Sequence, residues 1–535
     1  MDKQQNRTKN QLSRQKRILW ILAVLAVLLA AAYGIIATLK HTQTLELPLY
    51  DTDGDRLEYT YTCQSGNKVT VVSTTEDTLT LSADSEITYN ARPYIFPEIP
   101  LEKLNSVTVD NAYGKFTLYL DPTTGEYVFQ GNEMVLYNAE PLSTLRLQAR
   151  YMLAIQKVEG TFETDAALAD FGLDKASEPV KVTVTDTQGA SHTVLFGDAL
   201  VTGAAYYAKD TQKPYVYVVD STVEAFFKEE NAYFDPIITA PLTQNTYQYM
   251  DTFSIRKNGE AFMESAIIPE EQRQGTGSTD LHRLTYPAGY SASLTMYYEA
   301  LSCFENLTGS RVIETGVLAG GEEYAQELFD KYGLTIATND VCCTYEGKEY
   351  RFLTGTRYND ADGNVMYYAY SPYMDTIVEL PLANAPFLEY ELIDFIDASA
   401  FQININNVSE LTAHIPGVSA HFVLEGSGSE LKVTETVTGQ VIDTASFRQF
   451  FISLLTIKLE GYADQSEATG ANEFGFGVSS VYGEHNTYEF DIISTTRDLL
   501  TLDGNAEFYV NRSYITAASE RLMKLMRGET IAADY

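Results

Sequence analysis

The chain has 535 residues, a formal net charge of −36, and 45% hydrophobic and 12% aromatic residues. That apolar share supports real cores and excludes wholesale disorder, while so acidic a body repels a phosphate backbone and argues against nucleic acid as a partner. At about 150 residues per domain, the length suggests three or four units.

Residues 1–17 carry Lys3, Arg7, Lys9, Arg14, Lys16 and Arg17 against Asp2, a basic tail on an acidic chain. Ile18 to Leu39, "ILWILAVLAVLLAAAYGIIATL", holds no charge. As a helix, 18–39 spans ~33 Å, enough for a hydrocarbon core. The positive-inside rule puts the tail in the cytoplasm and residues 40–535 outside. Ala30 and Ala32 offer a signal-peptide cleavage site, but the apolar run continues through Ile35, Ile36 and Leu39. That favours an uncleaved anchor. No second run of this kind occurs, so the sequence reads as single-pass.

Residues 40–99 read as a β-rich extension. Within it, "DTDGD" sets Asp51, Asp53 and Asp55 at alternate positions, and "DADGN" later does so with Asp360, Asp362 and Asn364. Oxygen ligands at this spacing suit calcium. An EF-hand, however, needs glycine sixth and glutamate twelfth, whereas Gly54 and Gly363 fall fourth and Thr62 and Ser371 twelfth. Hairpin turns are the better reading.

From residue 100 the chain reads as three repeated units, at 100–238, 246–396 and 400–530. An aromatic-glycine-apolar triplet recurs as Phe171-Gly172-Leu173, Tyr332-Gly333-Leu334 and Phe474-Gly475-Phe476. Each glycine precedes an aromatic pair, Tyr206-Tyr207, Tyr367-Tyr368 or Phe508-Tyr509, by 35, 35 and 34 residues to the second ring. Between them lie alternating runs around polar turns, the signature of a β-hairpin. Upstream come helical stripes: Leu145, Ala149, Met152 and Ile155 before Gly160, then Leu294, Tyr298, Leu301 and Leu307 before Gly309, and a third ending at Gly461. Further strands precede each helix, "FQININ" from Phe401 among them. The fold class is therefore α+β: one N-terminal transmembrane helix, then three units of antiparallel sheet with a helix packed on one face. The triplet is predicted to be the turn that leads from the helix region into the hairpin.

Over "LADFGLDKASEPVKVTVTDTQGASHTVLFGDA" and "AYYAKDTQKPYVYVVDSTVEAFF" the chain resembles the bacterial domain of unknown function 4340 family. The resemblance rests on Gly172-Leu173-Asp174, the polar-turn hairpin, Phe196-Gly197-Asp198, the tyrosine pair and Val216 to Ser221. It is strongest over 100–238. It implies a membrane-anchored extracytoplasmic protein associated with ABC-type transporters of the gliding-motility kind, and carries no known chemistry.

No phosphate-binding loop, nucleophile elbow or zinc-binding helix motif is present. Of six histidines, His414 and His421 lie closest, a weak metal pair. Ser65 to Lys68 and Ser429 to Lys432 match Ser-x-x-Lys without the partner motifs of a penicillin-recognising enzyme. Cys342 and Cys343 sit in a predicted strand, pointing to opposite faces as small apolar groups rather than forming a vicinal disulfide. Pro269 to Asp280 reads as an exposed, mobile insertion. No catalytic, cofactor-binding or metal-ligating residue emerges.

The sequence therefore leads to an expectation of a non-enzymatic accessory or scaffold protein. Its expected partners are the membrane and an ABC-type transporter permease. The alternative is a surface module whose tyrosine-rich edges, Tyr206 to Tyr217 and Tyr358 to Tyr373, stack on envelope glycan.

Overall fold

Alternating apolar and polar residues between turn residues become antiparallel strands along nearly the whole chain. The computed structural model describes residues 2–38, 42–63, 68–243, 246–270 and 281–533. Leu39, Ser65 and residues 271–280 of the insertion lie outside the described residues. Helix α1 (Asp2–Thr38) joins the basic tail to the apolar run. Its stretch Ser13–Ile35 is exposed throughout and is long and apolar enough to cross a membrane, as an anchor or as a signal sequence.

The chain divides into two units, residues 1–133 with 138–233, and residues 134–137 with 234–535. In the first, β1 (Gln43–Pro48), β2 (Leu57–Cys63), β3 (Thr70–Thr74), β4 (Thr78–Ala83) and β5 (Ile87–Pro93) form two small sheets, β1-β4-β3 and β2-β5. They precede a large sheet of β6 (Leu104–Asn111), β7 (Gly114–Leu120), β8 (Tyr127–Phe129), β9 (Ala154–Lys157), β10 (Val180–Asp186), β11 (Ser191–Ala199), β12 (Ala205–Asp210) and β13 (Tyr217–Asp220). Its order is β8-β7-β6-β10-β11-β12-β13-β9. Helix α2 (Ala139–Arg150) stands between β8 and β9 in the chain.

The second unit holds two large sheets. One contains β14 (Thr252–Lys257), β15 (Glu260–Ile267), β16 (His282–Tyr286), β17 (Arg311–Thr315), β18 (Asn339–Tyr345), β19 (Lys348–Asn359), β20 (Val365–Ser371) and β21 (Thr376–Pro381), with α3 (Leu294–Ser302) before β17 and α4 (Glu322–Tyr332) after it. The other contains β22 (Val408–Ile415), β23 (Val418–Glu425), β24 (Lys432–Glu435), β25 (Val441–Ile442), β26 (Leu459–Tyr462), β27 (Asn472–Ser480), β28 (His485–Ile492), β29 (Arg497–Leu502) and β30 (Asn505–Asn511). Helix α5 (Thr444–Leu455) precedes β26, and α6 (Arg512–Met526) closes the unit. The orders are β16-β15-β14-β18-β19-β20-β21-β17 and β25-β24-β23-β22-β27-β28-β29-β30-β26. All three large sheets thus follow one chain path: hairpin strands, a helix, a strand sent to the far edge, then four strands that meander back to it.

Several expectations need correction. The helical stripes end early, α2 at Arg150, α3 at Ser302 and α5 at Leu455. In the first and third, residues beyond become edge strands, so Ile155 lies in β9 and Gly461 in β26, while in the second a 3-10 turn at Cys303–Glu305 intervenes before β17. Short β-strands with one exposed face and amphipathic helix ends share the same apolar content, and only the far-edge pairing separates them. "FQININ" forms no strand; Ile405–Asn407 is a 3-10 turn.

The third triplet is also misaligned. Gly172 (φ 65°) and Gly333 (φ 71°) are left-handed caps ending a 3-10 turn and α4, as the turn reading requires. Phe474-Gly475-Phe476 instead lies inside β27. Its aromatic pair falls in β30, the fourth meander strand, whereas the other pairs fall in β12 and β20, the third. The 34-residue spacing matched different elements.

Helices do not cover one face alone. In the first large sheet Val107, Leu118, Val182, Val194 and Phe196 share the buried side with Leu145 and Ala149 of α2. Burial of each such large apolar side chain is worth about 1.5–3 kcal/mol. Leu195, alternating to the other face, packs with Leu168, Phe171, Leu173, Tyr207 and Val216. The second large sheet repeats this with Leu353, Leu328, Tyr332, Leu334 and Tyr368. The first two triplets therefore pin a helical corner to the second face.

Candidate functional site

A dense cluster of ionisable groups grows from the "DTDGD" turn of the first unit. Gly54 (φ 86°) closes the turn, Asp51 N–H donates to Asp55 O (2.9 Å), and Asp51 Oδ1 accepts from the backbone N–H groups of Asp53 (2.9 Å) and Asp55 (2.8 Å). This geometry brings three carboxylates together. Lys157, at the end of β9, places Nζ among them, 2.6 Å from Asp51 Oδ2, 3.0 Å from Asp53 Oδ2 and 2.6 Å from Asp55 Oδ2. Lys213 Nζ reaches Asp55 Oδ1 (2.6 Å) and also donates to Ile95 O (2.6 Å). The Tyr217 hydroxyl, on β13 directly opposite Lys157, donates to Asp55 Oδ2 (2.7 Å). Tyr215 lies under the Lys157 ammonium at 4.4 Å.

The electrostatics leave little for chemistry. Burial alone would raise the Asp55 carboxyl, yet hydrogen bonds from Lys157, Lys213 and Tyr217 outweigh it and hold the carboxyl below the usual carboxylate range. Burial would lower the Lys157 ammonium, but Asp51, Asp55 and Asp53 raise it well above its ordinary value. Such a lysine stays protonated and is no nucleophile; such an aspartate stays ionised and donates no proton. The group ties the extension to the first large sheet. Arg92 supports the same tie, donating to Ala154 O (3.0 Å) and Asp220 Oδ2 (3.1 Å), as does Glu58, which accepts from the Tyr94 and Tyr151 hydroxyls.

The other sequence candidates stay apart. Both acidic loops are hairpin turns: "DADGN" joins β19 to β20, with Asp360 Oδ1 accepting from the N–H groups of Asp362 (2.9 Å) and Asn364 (2.8 Å). His414 and His421 share the outer face of the third large sheet beside a cavity of about 330 Å³. Each turns to its own carboxylate, His414 Nε2 to Glu489 Oε2 (3.2 Å) and His421 Nε2 to Glu410 Oε2 (3.3 Å). Among the described residues no group of three or more His, Cys, Asp or Glu could hold a metal ion. Ser429 sits in a 3-10 turn while Lys432 opens β24. Cys342 and Cys343 alternate across β18 as free thiols, Cys343 buried. Of the tyrosine-rich edges, Tyr217, Tyr367 and Tyr370 are buried, Tyr206 donates to Glu224 Oε1 (2.8 Å), and Tyr373 is exposed.

A larger cavity, about 800 Å³, opens in the second unit between Lys257, Phe262, Tyr390, Glu391, Tyr462 and Glu507. Its charges are mostly engaged. Lys257 Nζ donates to Tyr390 O (2.7 Å) above the Phe262 ring (3.9 Å), Glu391 caps the helical turn Leu392–Phe395, and nearby Glu389 binds Arg357 Nε (2.6 Å).

Sequence reasoning missed Lys157, Lys213 and Tyr217. The sequence pattern places Lys157 on a helix, where no register would set it opposite Tyr217.

Strands, caps and ion pairs thus define an α+β protein of antiparallel sheets with an apolar N-terminal helix. Residues 135–313 match the family described as Domain of unknown function (DUF4340), so the chain resembles that family from just before α2 to β17. The matched stretch begins and ends later than the predicted 100–238. No curated protein and no solved structure matches the chain.

Proposed function

We propose that the protein is a non-enzymatic, membrane-anchored extracytoplasmic accessory or scaffold subunit of an ABC-type export or gliding-like complex. It is built from three copies of one unit, each opening its edge strand after a helix that begins at Ala139, Leu294 or Thr444. The observation that carries the reading is α1, apolar and exposed from Ser13 to Ile35, joined to an acidic strand-rich body. The transporter association is what the family resemblance implies, the match itself being to a domain of unknown function. Engagement of the Asp51, Asp53 and Asp55 carboxylates by lysine supports a structural role for the most charged cluster. In-cell crosslinking of the full-length protein, with mass spectrometry of the captured partners, tests this. Transporter subunits should be captured, and lost when residues 1–40 are exchanged for an unrelated anchor. Capture of no membrane partner overturns it.

A second reading, a ligand-binding surface module, draws on the 800 Å³ cavity with its Phe262, Tyr390 and Tyr462 walls. Retention of the anchor-free 40–535 chain on purified envelope glycan, reduced by Tyr462→Ala, would favour it.

A further inference from the structure

The last helix rests on an unusual group. Asp498, in β29, is fully buried, and neither of its carboxylate oxygens has a hydrogen-bond partner among the described residues. The cation beside it is committed elsewhere. Arg512, first residue of α6, sends Nε to Glu473 Oε2 (2.9 Å) and Nη1 to Ser494 O (3.1 Å), and stands 4.0 Å from Asp498 Oδ1. Asp491, on neighbouring β28, adds a third carboxylate to the surroundings. The guanidinium therefore pairs more closely with Glu473 than with Asp498, and both Asp498 oxygens are left without a donor. An ionised carboxylate buried without hydrogen bonds from the protein is costly, so the packed arrangement favours the neutral acid.

We propose that the first turn of α6 is a proton-operated clasp, closed while Asp498 carries a proton and opened to water when that proton leaves. The groups around it act in that sense. Burial pushes the Asp498 carboxyl up to about 7, with Glu473 and Asp491 adding to the rise and Arg512 opposing it. A carboxyl raised in the folded state holds its proton where the unfolded chain has lost it, so the closed turn weakens as pH rises from the unfolded value to about 7 and changes no further above it. Farther along α6, Ile515, Ala518, Leu522 and Leu525 are buried. The opening is therefore local to the first turn rather than a release of the helix.

Hydrogen–deuterium exchange of the full-length protein in detergent micelles tests the clasp, with rates corrected for intrinsic pH dependence. Protection over residues 512–516 should fall by up to about tenfold per pH unit as pH rises toward the midpoint and level off above it, while residues 518–525 hold theirs. Asp498→Asn should flatten that dependence. Glu473→Gln, at a partly exposed position, leaves Arg512 to Asp498 and should move the midpoint down. Wild-type protection that does not change between pH 5.5 and 8.5 overturns the proposal. So does a Glu473→Gln midpoint that stays in place.

Discussion

Replacing Gly172 by alanine should destabilise the first unit by about 2–5 kcal/mol. The left-handed backbone (φ 65°) costs an L-residue ~1–2 kcal/mol. The new Cβ would stand 2.8 Å from the backbone N of Asp198 and 2.5 Å from its Oδ1, an overpacking worth ~1–3 kcal/mol. Gly197 on β11 shows the same approach from the other side, since a Cβ there would lie 2.2 Å from Phe171 O. Gly333 and Gly355 reproduce the pair in the second unit, where a Cβ on Gly355 would lie 2.2 Å from Tyr332 O. Gly475 is the control. Its φ is not positive, and a Cβ would meet only the flexible ends of Glu489 and His414, an exposed ion pair worth ~0–1 kcal/mol. Urea unfolding monitored by exchange, unit by unit, reads the differences. If Gly475→Ala proves as damaging as Gly172→Ala, the distinction between cap and strand glycines is wrong.

Lys157→Met should destabilise the first unit by about 3 kcal/mol, because three converging carboxylates lose their shared cation; urea melts of the two units measure it. Acid should weaken the same tie: Asp55 is held below its unfolded value, so its contribution is present above that value and lost as pH falls through the depressed one. A thermal melt of wild type against Asp55→Asn from pH 6 to pH 2 should therefore converge at the acid end. Millimolar calcium should leave the melting temperature unchanged, since Lys157 already occupies the carboxylate cluster. Thiol reagents at neutral pH should label Cys343 only on unfolding and Cys342 slowly; burial raises both thiols, Cys342 to about 11.

The charge-free run from Ile18 to Leu39 and the alternation along Val180 to Phe196 are properties of adjacent residues, so the apolar helix and the β10–β11 hairpin were legible directly. So were the Asp51 and Asp360 turns, whose side chains bond their own backbone. Gly172 could be read as a turn for the same local reason, its positive φ being open to glycine at little cost.

Tertiary structure alone decided what depends on distant partners. Residues 154–157 are apolar enough for a helix end or a strand, and pairing with β13 chose the strand. That choice set Lys157 opposite Tyr217 and drew in the aspartates more than 100 positions earlier. Gly475 shares its local string with Gly172, but hydrogen bonding of β27 to β22 on one side and β28 on the other holds it in an extended strand. The charge of Asp498 was equally beyond the sequence, because its site depends on α6 closing over β29 and on Arg512 choosing Glu473. Local stereochemistry is written in neighbouring residues; burial, register and the pairing of charges belong to the assembled chain.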